Sequence, residues 1–188
     1  MHLHKTGRRV RARRYGGFAA AIAVIMTAIA PADAHRVAMP VAFHPPLKID
    51  RILVLKSKRV LELLHGGKVV KAFPIALGEH PVGAKRFEGD GKTPEGLYYI
   101  DGRLPNSRYH LALHISYPNP ADTAQAVALG RDPGGNILIH GLPNWYRGPL
   151  DPVRFYKDWT DGCVSVGDRA IEEIYAAVDV GTPVEIKP

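Results

Sequence analysis

Five consecutive residues, Thr160-Asp161-Gly162-Cys163-Val164, combine a thiol with the backbone that a nucleophile needs. Asp-Gly favours a turn, and Val164 begins packed structure. The thiol is thereby expected at the mouth of a sheet, on sharply bent backbone. Gly162 leaves room for a carbonyl to approach, and N–H groups around Gly162 and Cys163 could form an oxyanion hole. A free thiol has a pKa of about 8.5 and is mostly protonated at neutral pH, so a nucleophilic role requires a nearby base. Cys163 is the sole cysteine. Its plainer reading is a buried bystander, and its neighbours must decide between the two.

His140 is the candidate base. It ends the run Asn136-Ile137-Leu138-Ile139-His140, directly before Gly141. A strand end is where a rigid scaffold hands side chains to a site. The histidine precedes the cysteine, with 19 residues from Gly141 to Trp159 between them. Papain-like enzymes have the reverse order. Residue types and order alone define a plausible Cys–His pair. His110 and His114 raise the alternative of a metal site shared with His140. At i and i+4 of a strand they stand about 13 Å apart, too far to share one ion, so no metal is expected.

The elements around these residues read as mainly β. Ile52–Leu55 and Val60–Leu64 are apolar strand runs. His65-Gly66-Gly67-Lys68 reads as a hairpin turn leading to a third strand, Val69–Leu77. Pro74 suggests an edge position for that strand. Residues 78–96 are poor in apolar side chains and rich in glycine, and a loop this long in a compact domain is usually functional or disordered. Leu97–Ile100, Leu111–Ile115 and Asn136–His140 read as further strands, and Ala121–Leu129 as a short helix. Ile171, Ile174, Tyr175 and Val178 follow Asp168 at helical spacing, and Pro183–Ile186 is a last strand. The expected fold is a mainly β domain with two or three short helices.

Residues 1–34 have the order of a secretory signal. Six bases fall within the first 17 residues, an apolar run follows from Phe18 to Ala30, and Ala32-Asp33-Ala34 offers a cleavage site. The 13-residue apolar run is shorter than the roughly 20 residues that span a bilayer. Residues 35–47, with Pro40, Pro45 and Pro46, read as an extended lead-in to a domain at 48–188. The full chain carries 25 basic and 18 acidic residues, net +7. Without residues 1–34 it carries 19 and 17, net +2, so the charge gives no support to nucleic-acid binding. Export, with the periplasm as destination, is the expectation. A lone thiol in an exported chain is then worth flagging as reactive.

Three segments, in order, resemble the YkuD-type L,D-transpeptidase family. Gly89-Asp90-Gly91-Lys92-Thr93-Pro94-Glu95-Gly96 is similar to its G-D-x-x-T-P-x-G segment, Ile139-His140-Gly141 to its I-H-G, and Thr160–Val164 to its S/T-H-G-C-hydrophobic motif. The contexts Tyr117-Pro118-Asn119, His140–Asn144 and Trp159-Thr160 resemble a YafK-like branch. The resemblance implies a β-sandwich and a two-step acyl transfer without a cofactor. Cys163 would attack the carbonyl of a meso-diaminopimelate residue in a peptidoglycan stem peptide. His140 would act as general base, the Gly141 carbonyl would orient it, and Gly162 would line the oxyanion hole. The acyl group would pass to an amine, or to water in a hydrolase that could release a peptidoglycan-linked lipoprotein. A carbapenem would be a covalent inhibitor.

The chain also departs from the family pattern. Asp161 stands where the family has a second histidine, and Ser165 where it has Asn or Arg. The interval from His140 to Thr160 is longer than usual and holds Trp145, Tyr146 and Arg147. These three, with Thr160, Asp161 and Ser165, are the expected substrate contacts, and Arg147 or Arg154 could pair with a substrate carboxylate. A wall-binding module without catalysis is the other functional reading. The intact Cys163, His140 and Gly162 favour the enzyme.

Overall fold

The computed structural model describes residues 48–146 and 158–188. The expected signal segment 1–34 and lead-in 35–47, with Arg147 and Arg154, lie outside the described residues. Alternating side chains dominate what is described. In β1 (Arg51–Leu55), Ile52 and Val54 point inward and Arg51 faces water. β2 (Val60–His65) repeats the pattern with Leu61 and Leu63. This period of two makes one face of each strand apolar and drives the strands to bury it together. β3 (Lys68–Pro74) follows across the Gly66-Gly67 turn and is exposed except at Phe73.

β4 runs from Gly96 to Ser107 and turns back into β5 (His110–Ile115). α1 (Pro120–Ala128) begins at a capping box in which Asn119 and Asp122 each bond the other's backbone N–H. β6 (Leu138–His140) and the two-residue β7 (Val164–Ser165) come next. α2 (Asp168–Ala177) buries Ala170, Ile171 and Ile174, and β8 (Pro183–Lys187) ends the domain. Among the described residues there are two helices and eight strands.

The strands form one sheet in the order β3-β2-β1-β8-β4-β5-β6-β7. Its two ends are joined. Beyond β3 the chain reaches β7, where Ala76 and Ser165 exchange both backbone hydrogen bonds at 2.9 Å. The inward residues of all the longer strands, with the apolar face of α2, make one continuous core. Burial of each large aliphatic side chain contributes about 1.5–3 kcal/mol.

Several elements differ from the sequence expectation: β3 ends at Pro74 rather than Leu77, and β7 is not among the expected strands. β4 extends past Ile100 to Ser107, through polar residues and Pro105, by shifting register twice against β5. β6 begins at Leu138 rather than Asn136, because Asn136 takes a positive φ of 53°.

Candidate active site

β6 and β7 run parallel, with Ile139 opposite Val164 and His140 opposite Ser165. Leu138 is therefore opposite Cys163. Cys163 immediately precedes β7, and His140 ends β6. The paired strands therefore carry the two residues to neighbouring positions on adjacent strands. The sheet brings together the two residues that chemistry singles out.

The segment before Cys163 is strapped to the chain that follows β3. The Asp158 carboxylate takes the Arg59 guanidinium at 2.6–3.1 Å and the Leu77 N–H at 2.9 Å. Trp159 and Thr160 N–H both reach the Leu77 carbonyl, and Glu79 N–H reaches the Thr160 carbonyl. Gly162 completes the turn at φ +133°. A Cβ at Gly162 would lie 2.5 Å from the Lys92 carbonyl oxygen, so only glycine lets this turn nest against the 78–95 loop.

The hydroxyls of Thr160 and Ser165 serve the protein. Thr160, 5 % exposed, donates to the Cys163 carbonyl at 2.8 Å and accepts the Gly162 N–H at 3.2 Å. Ser165 is fully buried and donates to the Gly141 carbonyl at 3.4 Å. In place of substrate contact, one braces the cysteine turn and the other sits behind the histidine's anchor. Gly162 N–H, expected in an oxyanion hole, is engaged by Thr160 here. Asp161 is exposed on the turn.

His140 lies at the buried end of β6, 1 % exposed. Its Nδ1 is 2.6 Å from the Gly141 carbonyl oxygen, which can only accept, so Nδ1 carries the proton and Nε2 is the basic nitrogen. Gly141 packs so tightly that a Cβ there would lie 2.5 Å from Asp168 Oδ1. That closeness lets Asp168 accept the Leu142 N–H at 2.7 Å. The Tyr109 ring stacks on the imidazole with centroids 4.3 Å apart, and Trp159 meets it edge-on at 5.8 Å.

Burial pushes the His140 pKa down to about 4, partly opposed by the Gly141 carbonyl. Burial pushes the Cys163 thiol up to about 11; the Leu138 N–H and Lys85 oppose the rise and Asp161 adds to it. At neutral pH the resting pair is a thiol and a neutral imidazole. The thiol itself bonds to the backbone of the strand beside it, donating to the Asn136 carbonyl at 3.5 Å and accepting from Leu138 N–H at 3.4 Å. Asn136 and Leu138 are site residues that sequence reasoning missed. So are Tyr109 and Trp159, whose contacts with His140 span 31 and 19 positions of sequence.

The remaining candidates lie around this centre. Trp145 is 78 % exposed and packs edge-on to Tyr146. With Arg108, Tyr109, Pro143 and Asn144 it lines a groove of about 360 Å³. His110 and His114 are engaged by different carboxylates, Glu172 at 2.8 Å and Asp101 at 2.5 Å. No cluster that could hold a metal occurs among the described residues.

A mainly β domain with two short helices is the fold of the L,D-transpeptidases. Residues 49–186 match the family model of the YkuD L,D-transpeptidase catalytic domain, and the chain belongs to that family. It is 28 % identical over 133 residues to a protein of Escherichia coli K12 named among the L,D-transpeptidases, YafK, covering 68 % of this chain and 46 % of that one. The helical cell shape determining protein Pgp2 of Campylobacter jejuni (K307A mutant) superposes with a TM-score of 0.56 at 28 % identity, over 74 % of this chain and 47 % of that one. Bd1075 of Bdellovibrio bacteriovorus gives 0.51 at 28 % identity, over 75 % and 48 %. The chain spans about half the length of these relatives.

Proposed function

We propose that the protein is an exported, cysteine-dependent acyl transferase acting on peptidoglycan stem peptides. The observation that carries this reading is the pairing of β6, which ends in His140, with β7, which Cys163 precedes, with Nδ1 of His140 held by Gly141 and Nε2 left basic. As substrate arrives, the thiol leaves the Asn136 carbonyl and gives its proton to Nε2. The sulfur attacks the carbonyl carbon of a diaminopimelate residue. The amide C–N bond breaks, and His140 passes the proton to the departing amine, leaving a thioester on Cys163. An acceptor amine then attacks the thioester, which restores the free thiol. The neutral pair suits this sequence, because the proton moves only when the attack occurs.

The backbone around Gly162 and Cys163 would stabilise the developing oxyanion, with Gly162 exchanging its Thr160 bond for the substrate oxygen. A β-lactam of the carbapenem class would acylate the same sulfur. The name of the Campylobacter relative supports a role in cell shape. Water is the second acceptor to consider, since exposed Asp161 lies beside the thiol and could hold either a cationic amine or a water molecule. In that reading the enzyme releases a terminal residue or a peptidoglycan-linked lipoprotein.

Product identity after incubation with purified muropeptides and lipoprotein-linked sacculi, read by mass spectrometry, separates the readings. Dimers joined through two diaminopimelates would support transfer, and free lipoprotein ending in unmodified lysine would support hydrolysis. Unchanged substrates would overturn both and leave a wall-binding module.

A further inference from the structure

The imidazole of His140 is held from three directions. Gly141 takes its Nδ1 proton, and the same carbonyl accepts the Ser165 hydroxyl behind it. Tyr109 covers one ring face at 4.3 Å with an interplanar angle of 32°. Trp159 closes a second side edge-on, at 74°. The two aromatic residues also approach each other, with centroids 6.2 Å apart. Both are fixed by the backbone. Gly141 N–H donates to the Tyr109 carbonyl at 3.1 Å, Tyr109 N–H donates to the Ser107 hydroxyl, and Trp159 N–H donates to the Leu77 carbonyl.

We propose that Tyr109 and Trp159 are positioning residues that clamp the His140 imidazole between a stacked ring and an edge-on ring, keeping water and counter-ions from it so that Nε2 stays unprotonated and aimed at the cysteine face. The inference rests on the proposed acyl transfer for its purpose, not for its geometry. Among the described residues, the titratable and charged groups around His140 are few. They are the Tyr109 phenol, the Cys163 thiol and, beyond Gly141, the Asp168 carboxylate, which is already engaged by the Leu142 N–H. None forms an ion pair with the imidazole, so exclusion of water is the dominant influence on its protonation. The rings do this by their area rather than by their polar atoms. The buried indole Nε1–H of Trp159 has no hydrogen-bond partner among the described residues.

The test compares Tyr109→Leu, Trp159→Leu and Tyr109→Phe in the protein freed of residues 1–34, and uses two readouts. The first is an NMR titration of the His140 imidazole, which needs no turnover. The second is the pH profile of acylation by a carbapenem. Tyr109→Leu and Trp159→Leu should each move the His140 midpoint upward by one pH unit or more, from about 4 toward 6.5, and carry the acid limb of acylation with it. Tyr109→Phe should leave the midpoint near that of the wild type. Unmoved midpoints in both leucine variants would overturn the clamp, as would a Phe variant that shifts as far as Leu. Either leucine variant suffices if the other fails to fold. Shifted midpoints in a protein that no carbapenem acylates would keep the clamp and overturn the acyl-transfer reading.

Discussion

Two regions of this domain bury polar groups, and they treat charge in opposite ways. In the 78–95 loop the charges are kept and paired. Lys85 and Asp90, each 4 % exposed, meet at 3.1 Å. Lys56, 2 % exposed, bonds Glu95 at 2.7 Å and the carbonyls of Gly83 and Thr93. At the Cys163–His140 end, His140 is buried and Cys163 half-buried, neither forms an ion pair among the described residues, and both are driven neutral. Burial alone would raise the Asp90 carboxyl, but the N–H groups of Arg86 and Lys92, the Lys85 ammonium and the Phe87 N–H hold it below the usual range. His140 has only one carbonyl to oppose burial, and burial wins. The lesson is that burial removes a charge only where partners are withheld. The loop uses paired charge to hold shape against Gly162, and the active site uses unpaired burial to store a proton on sulfur.

The comparison breaks first if His140 can be replaced without loss. His140→Gln keeps most of the volume of a residue that is 1 % exposed, and should lower turnover by about 10²–10⁴-fold in a folded protein. Steady-state kinetics on muropeptides check this, with circular dichroism as the control for folding. Next comes the loop. Asp90→Asn leaves the Lys85 ammonium buried against a neutral amide and should cost about 3–5 kcal/mol, read as a lower midpoint in urea. A loss well below this range would mean that the pair is wetter than the structure shows.

A smaller effect sharpens the contrast. The folded pKa of His140 lies below its unfolded value, so its stability contribution is complete above about pH 6.5 and is lost as pH falls through about 4. The drop of about 2.5 units corresponds to roughly 3 kcal/mol across that window. Asp90, also lowered, loses its contribution at still lower pH. Thermal melts between pH 7 and 4 should therefore fall more steeply for the wild type than for His140→Gln, and parallel curves would refute the neutral-histidine account.

Much of this was legible in the sequence, for reasons that local chemistry explains. The Gly66-Gly67 turn, the alternation in β1 and β2, the helical spacing from Ile171 to Val178 and the Asp161-Gly162-Cys163 turn are all short-range patterns. β4 was cut short at Ile100 because Asp101, Arg103 and Pro105 interrupt its apolar run, and only pairing with β5 carries it on to Ser107. Thr160 and Ser165 were read as substrate contacts from their places in the family motif around Cys163. Which backbone groups each hydroxyl meets is decided by strands distant in sequence. The same distance hid the Lys56–Glu95 pair, with partners 39 positions apart, and the rings on His140.

The central claim is that Cys163 is the nucleophile and that its sulfur takes an acyl group. Intact-mass spectrometry of the protein freed of residues 1–34, after incubation with a carbapenem, tests it most directly. The wild type should gain the mass of one carbapenem, and Cys163→Ala should gain none. A wild type without an adduct, or an equal adduct on Cys163→Ala, would contradict the claim.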